Sequence, residues 1–268
     1  MDFGMPVLIE NKSLEENVDL CKELGLQFVE LNMNLPKYQI EKLENTDYFR
    51  TVAEQAGIYF TIHLDENLDI ANFNFMISDA YMETVRKTID IAEKLCVPVL
   101  NMHMNHGIHF TLPERKVQLF EEYFDVYMES FDKFKEICEK QTEGTNIHIC
   151  IENTDGFREY EKTAIKDMLK SRMFSLTWDI GHSHACENID EPFIMEHEDK
   201  LYHFHIHDAI GNKDHLVCGT GEIDFGQRLG IAKKHNCRCV VETKTINALR
   251  QSVKWLRKNI NQEDLLSM

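Results

Sequence analysis

The chain has 268 residues, enough to bury a substantial core, and a formal net charge of −17 from 46 acidic and 29 basic residues. So acidic a protein repels phosphate, which opposes tight nucleic-acid binding. There is no run of about 18 apolar residues to predict a membrane span, and the opening MDFGMPVLIE lacks the features of an export signal. The eight cysteines form no CxxC pair. We therefore expect a soluble cytoplasmic protein with reduced thiols and no membrane partner.

Eight short β-like runs follow one another along the chain, nearly all separated by helix-like stretches. They begin near Pro6, Phe28, Ile58, Val99, Ile147, Phe174, Leu201 and Arg238. Ser13 with Glu16 predicts a capping box at the first helix, while Gly25 and Gly57 predict helix ends. Residues 79–95 repeat apolar side chains at helical spacing. This alternation of elements predicts a parallel α/β fold.

The predicted strands alternate apolar with polar side chains, whereas buried parallel strands normally read as continuous apolar runs. In the seventh run, the polar face consists of His203, His205 and His207. A closed barrel accommodates both faces, because apolar residues can face an outer helix layer while polar ones face the lumen. The sequence therefore predicts a single (β/α)8 TIM barrel as one domain over residues 1–268.

Four polar residues each close a β-run, about one βα unit apart: Glu152, Asp179, His205 and Glu242. In a barrel they should converge at the C-terminal rim. Three carboxylates and one imidazole suit Mn²⁺, Co²⁺, Mg²⁺ or Zn²⁺, and without a cation the carboxylates would repel one another. Any one of them alone is more often an ordinary polar residue at a strand end, so the prediction of a metal site depends on all four together.

Further histidines are predicted at the ends of β-runs or in the loops that follow: His63, His103, His182 and His215. In the segment WDIGH, Gly181 permits a tight turn that can aim Asp179 and His182 at one centre. Any one of these histidines alone is more often a hydrogen-bonded structural residue.

A glycine-rich loop, Gly219-Thr220-Gly221, lies downstream of His207 and Asp208. Backbone N–H groups in such a loop can hold a phosphate or hydroxyl groups. We assign substrate contacts to His207 and Asp208. The glycine pattern is weak by itself, and the alternative is a simple turn before a helix that begins near Phe225.

Several short motifs together resemble the xylose isomerase-like TIM barrel superfamily, which includes sugar phosphate isomerases/epimerases and endonuclease IV. They are IENT at 151–154, WDIGH at 178–182, HFHIHD at 203–208, DH at 214–215 with GTGEID following, and VETK at 241–244. The resemblance covers essentially the whole chain. In sugar epimerases of the superfamily, the positions matching Glu152, Asp179, His205 and Glu242 bind one metal, which implies the same roles here.

Endonuclease IV carries additional zinc-binding histidines, at positions that match His63, His103, His182 and His215. The resemblance therefore allows more than one zinc per chain. The aspartate that accompanies the last histidine in that enzyme falls at Lys213, which leaves a third metal in doubt. After the first histidine, its DNA-wedging side chains are replaced by Leu64-Asp65-Glu66-Asn67, whose acidic residues would repel phosphates.

The favoured activity is that of a divalent-metal-dependent isomerase or epimerase of a sugar, a sugar phosphate or a related keto-polyol, acting through an enediolate. Glu152 and Glu242 are the candidate acid and base, and His182 would orient a substrate hydroxyl. The alternatives are a dehydratase of a keto-cyclitol-like substrate, an endonuclease IV-like zinc phosphodiesterase on abasic DNA, and a non-catalytic barrel. The expected partner is a small carbohydrate. The resemblance also allows a homo-oligomer, because many superfamily members are dimers or tetramers.

Overall fold

The computed structural model describes residues 1–259, so the predicted end of the domain at residue 268 lies outside the described residues. The strands are β1 (Asp2–Pro6), β2 (Phe28–Asn32), β3 (Tyr59–His63), β4 (Val99–His103), β5 (His109–Thr111), β6 (Lys116–Gln118), β7 (His148–Glu152), β8 (Phe174–Asp179), β9 (Leu201–Ile206), β10 (Asp208–Ile210), β11 (Lys213–Leu216) and β12 (Arg238–Val241). Eight of them close a parallel barrel in the order β1, β12, β9, β8, β7, β4, β3, β2. This barrel confirms the predicted (β/α)8 fold.

Helices connect the barrel strands and pack outside them. They are α1 (Leu14–Glu23), α2 (Ile40–Leu43), α3 (Thr46–Ala56), α4 (Phe75–Leu95), α5 (Leu119–Glu122), α6 (Phe124–Gln141), α7 (Glu159–Met168), α8 (Ile180–Ala185), α9 (Glu191–Glu196), α10 (Phe225–Lys234) and α11 (Ile246–Asn259). Short 3-10 turns cover Pro36–Tyr38 and Glu198–Lys200. Within residues 1–259, no helix combines the length and apolar character that crossing a membrane requires.

The two predicted faces of the strands are present in the barrel. In the lumen, the Thr177 hydroxyl donates to Asn101 Oδ1 at 2.5 Å, which links β8 to β4. On the outer face, the Trp178 ring packs on Phe204 with ring centroids 5.7 Å apart. Both of these aromatic residues are fully buried beneath the helices. The polar lumen and apolar exterior explain why these parallel strands alternate in sequence.

The extent predicted for the first strand was wrong, because β1 ends at Pro6 and begins at Asp2. The other seven runs begin within one residue of their predicted starts. In β1, Asp2 and Gly4 are residue types that are depleted in strands, which hides the strand before Pro6. Gly4 is required by packing, since a Cβ there would lie 2.4 Å from the Phe28 ring.

The capping box predicted for α1 forms only in part. The Ser13 hydroxyl accepts the N–H of Glu16 at 3.2 Å, but the Glu16 carboxylate accepts from the N–H of Lys12 at 2.6 Å, one residue before the expected donor. The two helix ends predicted from glycine are confirmed. Gly57 caps α3 with a φ of 69°, and Gly25 follows α1 with a φ of 58°.

Two hairpins extend from the C-terminal side of the barrel and were not predicted. Strands β5 and β6 pair after β4, and β10 pairs with β11 after β9. The second hairpin matters for the site, because β11 carries His215, whose N–H donates to His207 just after β9. His215 has a φ of 52°, a left-handed conformation that is uncommon outside glycine.

Candidate metal centre

The four residues of the predicted metal set lie on strands that are neighbours in the barrel. Glu152 and Asp179 end β7 and β8, His205 lies one residue before the end of β9, and Glu242 follows β12. Their ligand atoms all lie within 4.8 Å of one another. The Nδ1 atom of the imidazole lies 3.0 Å from Glu152 Oε1, 3.1 Å from Glu242 Oε2 and 3.9 Å from Asp179 Oδ2. The predicted convergence at one rim is therefore present.

The carboxylates of this group differ in how far they are exposed. The Glu152 side chain is 1% exposed, whereas Glu242 is 17% exposed. Burial alone would raise the pKa of Glu152, but positive charge on His205 and His103 outweighs it and holds that pKa well below its usual range. At Glu242, positive charge on His205 likewise outweighs burial and holds the pKa well below its usual range. Both groups are therefore ionised at neutral pH.

Two of the additional histidines contact the second carboxylate oxygen of Glu152, Oε2. His103 Nε2 lies 3.0 Å from Glu152 Oε2, and His63 Nε2 lies 3.4 Å from the same oxygen. Asn101 Nδ2 also donates to this oxygen. Glu152 can therefore belong both to the four-residue set and to a second group with His63 and His103.

The other two histidines lie beside Asp179. His182 Nδ1 is 3.2 Å from Asp179 Oδ2, and the His182 and His215 rings are 5.2 Å apart. His215 also stacks on His207, with ring centroids 4.1 Å apart. The four candidate histidines thus flank the central set as two separate pairs.

His207 holds Asp179 in place. Its Nδ1 accepts the backbone N–H of His215 at 2.8 Å, so the ring proton lies on Nε2, which donates to Asp179 at 3.0 Å. The ring lies against Gly181, where a Cβ would come within 2.0 Å of it. The glycine of WDIGH therefore makes room for the histidine that orients the aspartate.

Asp208 closes the glycine-rich loop. Its Oδ2 accepts the N–H groups of Gly219 and Gly221, each at 2.8 Å, and Oδ1 accepts those of Ala209 and Ile223 at 2.9 and 3.2 Å. The loop amides expected to hold a phosphate or hydroxyls therefore bind a carboxylate of the chain itself. Asp208 is 1% exposed. A substrate contact for Asp208 and His207 stays a prediction, and this geometry gives it no support.

One buried acidic residue beneath the centre was missed by the sequence analysis. Glu30, in the middle of β2, lies with Oε1 2.9 Å from His205 Nε2 and Oε2 3.4 Å from His203 Nε2. Its position was readable, because Val29 and Leu31 beside it are apolar and buried. Glu30 lies in the middle of its strand, whereas the predicted site residues lie at strand ends or in the loops that follow.

The donor atoms at the rim fit a divalent cation. Within residues 1–259, the buried Nδ1 atoms of His182 and His215 make no hydrogen bond, although His182 Nδ1 lies 3.2 Å from Asp179 Oδ2. Buried polar atoms are normally paired, and an ion is one of the explanations for those that are not. The set Glu152, Asp179, His205 and Glu242 adds carboxylate oxygens and one imidazole nitrogen, the ligand types that suit Mn²⁺, Co²⁺ or Zn²⁺.

The comparisons with known proteins agree with this architecture. An uncharacterised protein of Methanocaldococcus jannaschii is 25% identical over 241 residues, which cover 87% of this chain and 86% of that protein. An inosose isomerase of Bacillus velezensis is 24% identical over 258 residues, covering 87% and 83% of the two chains. A crystal structure of a D-tagatose 3-epimerase-like protein is 23% identical with a TM-score of 0.76, covering 99% of this chain and 100% of that one. The model of the xylose isomerase-like TIM barrel family matches residues 18–259, and the chain therefore belongs to that family.

Proposed function

We propose that this protein is a divalent-metal-dependent isomerase or epimerase that acts on a sugar, a sugar phosphate or a related keto-polyol. The observation that carries the proposal is the meeting of three carboxylates around one imidazole nitrogen at the C-terminal rim. In TIM-barrel enzymes this rim is where active sites lie. The similarity to an inosose isomerase and to a D-tagatose 3-epimerase-like protein supports the same reaction class.

A cavity beside the centre provides room for a monosaccharide-sized molecule. It has a volume of about 360 Å³, and its wall includes Asn32, Asn34, Glu66, Glu242 and Lys244. Amide and carboxylate groups of this kind hydrogen-bond to hydroxyls. Because Glu242 belongs both to this wall and to the candidate metal set, a substrate in the cavity would lie next to the Glu242 carboxylate.

A divalent cation held by Glu152, Asp179, His205 and Glu242 would polarise neighbouring carbonyl and hydroxyl oxygens of the substrate. Glu242 is the more exposed of the two glutamates and faces the cavity, so we assign it the removal of the proton next to the carbonyl. Epimerisation requires proton return on the opposite face. We assign that face to Glu152, whose Oε2 atom lies 3.0 Å from His103 Nε2. His182 would orient a substrate hydroxyl.

Phosphodiester hydrolysis receives less support from the same region. Glu66 lines the cavity, and Asp65 precedes it in the chain. A DNA backbone entering this side of the rim would meet two carboxylates as well as a net charge of −17.

Solvent deuterium exchange tests the proposal. The metal-loaded protein would be incubated in D2O with neutral ketoses, inososes and ketose phosphates, and C–H signals would be followed by NMR. We expect exchange next to the carbonyl of at least one substrate and its loss in Glu242→Gln and Glu152→Gln. Release of water from the substrate would instead identify a dehydratase. Cleavage of abasic duplex DNA without any sugar exchange would refute the proposal.

A further inference from the structure

Glu30 lies in the lumen directly below the candidate metal centre and is 2% exposed. Its two oxygens have different partners. Oε1 lies 2.9 Å from His205 Nε2, and Oε2 accepts from the Thr61 hydroxyl at 2.9 Å. A buried carboxylate with a polar contact on each oxygen therefore lies directly beneath the centre, at a position where the proposed reaction does not use it.

The two ring nitrogens of His205 face different groups. Nδ1 faces the carboxylates of Glu152 and Glu242 at 3.0 and 3.1 Å, and Nε2 faces Glu30. A neutral imidazole carries its proton on one nitrogen, and a metal ligand must offer the lone pair of the other. Three carboxylates around Nδ1 would otherwise attract the proton to that nitrogen. Whatever holds the proton on Nε2 therefore decides whether Nδ1 can bind a cation.

We propose that Glu30 is a positioning residue that holds the proton of His205 on Nε2 and fixes the ring so that Nδ1 faces the cation. This inference rests on the metal-dependent function proposed above. An ionised carboxylate can only accept hydrogen bonds, so it pairs with the N–H form of Nε2. The Thr61 hydroxyl fixes the second oxygen and prevents Glu30 from turning away. Such carboxylate–histidine–metal arrangements orient the ligand and raise its basicity.

Glu30 acts through His205 and does not itself reach the substrate. Its contact is with Nε2, on the opposite edge of the imidazole from the nitrogen that faces Glu152 and Glu242. Glu30 is the third residue of β2, whereas Asn32 at the end of the same strand lines the cavity. The effect of a substitution should therefore appear first in cation affinity.

The test measures the affinity of the protein for Co²⁺ and Zn²⁺ alone, by competition with a chelator. Glu30→Met keeps a similar shape but cannot accept the Nε2 proton, and we expect it to weaken binding about 10- to 100-fold. Glu30→Gln still offers an amide oxygen, so its loss should be clearly smaller. The visible spectrum of bound Co²⁺ should change in Glu30→Met and stay close to wild type in Glu30→Gln, which a purely structural role would not produce.

Glu161→Met is a matched control. Glu161 is also fully buried and also pairs with a histidine, at 2.5 Å from His106 Nδ1, but it lies outside the candidate metal set. It should lose thermal stability and keep wild-type cation affinity. If Glu30→Met does not fold, Glu30→Gln alone decides, through a measurable loss of affinity.

The failures of the two proposals can be told apart. If wild type binds a cation and folded Glu30→Met binds it equally tightly, the role of Glu30 is overturned and the metal-dependent function stands. The same conclusion follows if only Glu30→Gln folds and it binds the cation as tightly as wild type. A loss in Glu161→Met equal to that in Glu30→Met also overturns the positioning role, because a buried charge anywhere would then suffice. A wild-type protein that binds neither cation overturns both proposals.

Discussion

Replacing Gly181 by alanine should disturb the centre from behind. The added Cβ would lie 2.0 Å from His207 Cε1 and 2.1 Å from Nδ1, distances at which something must move. The His207 ring is fully buried and is held on one side by Asp179 and on the other by the N–H of His215. It has little free space, so we expect the ring to shift and its hydrogen bonds to lengthen or break.

The structure sets the scale of the effect. Overpacking of a filled site costs about 1–3 kcal/mol. A broken hydrogen bond between His207 and the Asp179 carboxylate adds about 1.5–3 kcal/mol. The two effects overlap, so we expect Gly181→Ala to lower the free energy of unfolding by about 2–5 kcal/mol. At about 2–4 °C per kcal/mol for a chain of this size, the melting temperature should fall by about 4–20 °C.

The measurement is thermal and urea unfolding in the presence of a chelator, which separates packing from cation binding. Gly230→Ala is the control, because this residue lies within α10 and a Cβ there meets no atom within 4 Å in the described part of the chain. It should stabilise the protein by about 0.5–1 kcal/mol through helix propensity. A Gly181→Ala protein within about 0.5 kcal/mol of wild type would refute the packing argument, since such a value is typical of substitutions that touch nothing important.

Three further predictions concern charge and metal. Glu242→Gln should lower turnover by at least about 10²-fold in a kinetic assay while the far-UV circular dichroism spectrum stays unchanged, as expected for loss of a general base; near-normal turnover would remove Glu242 from the mechanism. Protein purified without chelator should contain metal by elemental analysis. About one Mn, Co or Zn per chain would indicate a mononuclear site, and two or three Zn would indicate a cluster. The Asp179→Ala variant should lose the ion that wild type retains. The pKa of His106 is raised to about 9 by hydrogen bonds from its ring to Asp155 and Glu161, so it stabilises the fold fully below about pH 6.5 and loses this contribution as the pH rises through about 9. Because the ring is 28% exposed, we expect a discounted loss of about 1–2 kcal/mol in urea titrations, and His106→Asn should flatten that part of the pH profile.

Residues at strand ends were predictable because position and chemistry agree there. Glu152 and Asp179 each end an alternating run, and parallel strands bring such ends to one rim. The convergence of these residues with His205 and Glu242 therefore followed from periodicity and spacing. The same reasoning found the eight strands, although it started β1 late, because Gly4 reads as a break until the Phe28 ring beside it is known.

Long-range hydrogen bonding was not predictable from periodicity. Asp208 lies in a motif rich in candidate ligands, yet its oxygens bind amides 11 and 13 residues further along the chain. His207 likewise owes its tautomer to the N–H of His215, eight residues away, which the unpredicted β10–β11 hairpin brings back. Glu30 meets His205 across 175 residues. Such contacts depend on barrel closure and loop geometry, which local patterns do not encode.

The charge in the lumen links the stability of the barrel to its proposed chemistry. TIM-barrel interiors are usually filled by branched apolar side chains, but here Glu30, Glu152 and Asp179 are at most 2% exposed and Glu242 is largely buried. Each buried carboxylate costs several kcal/mol unless it is paired. His205 supplies at most a single positive charge between Glu30 on one side and three carboxylates on the other, and Lys244 Nζ lies 3.0 Å from Glu242 Oε1. A divalent cation at the rim would balance two of these charges and leave Nε2 of the imidazole for Glu30. Under the proposed function, the acidic residues that make proton transfer possible are therefore also the ones whose charge a bound cation would stabilise.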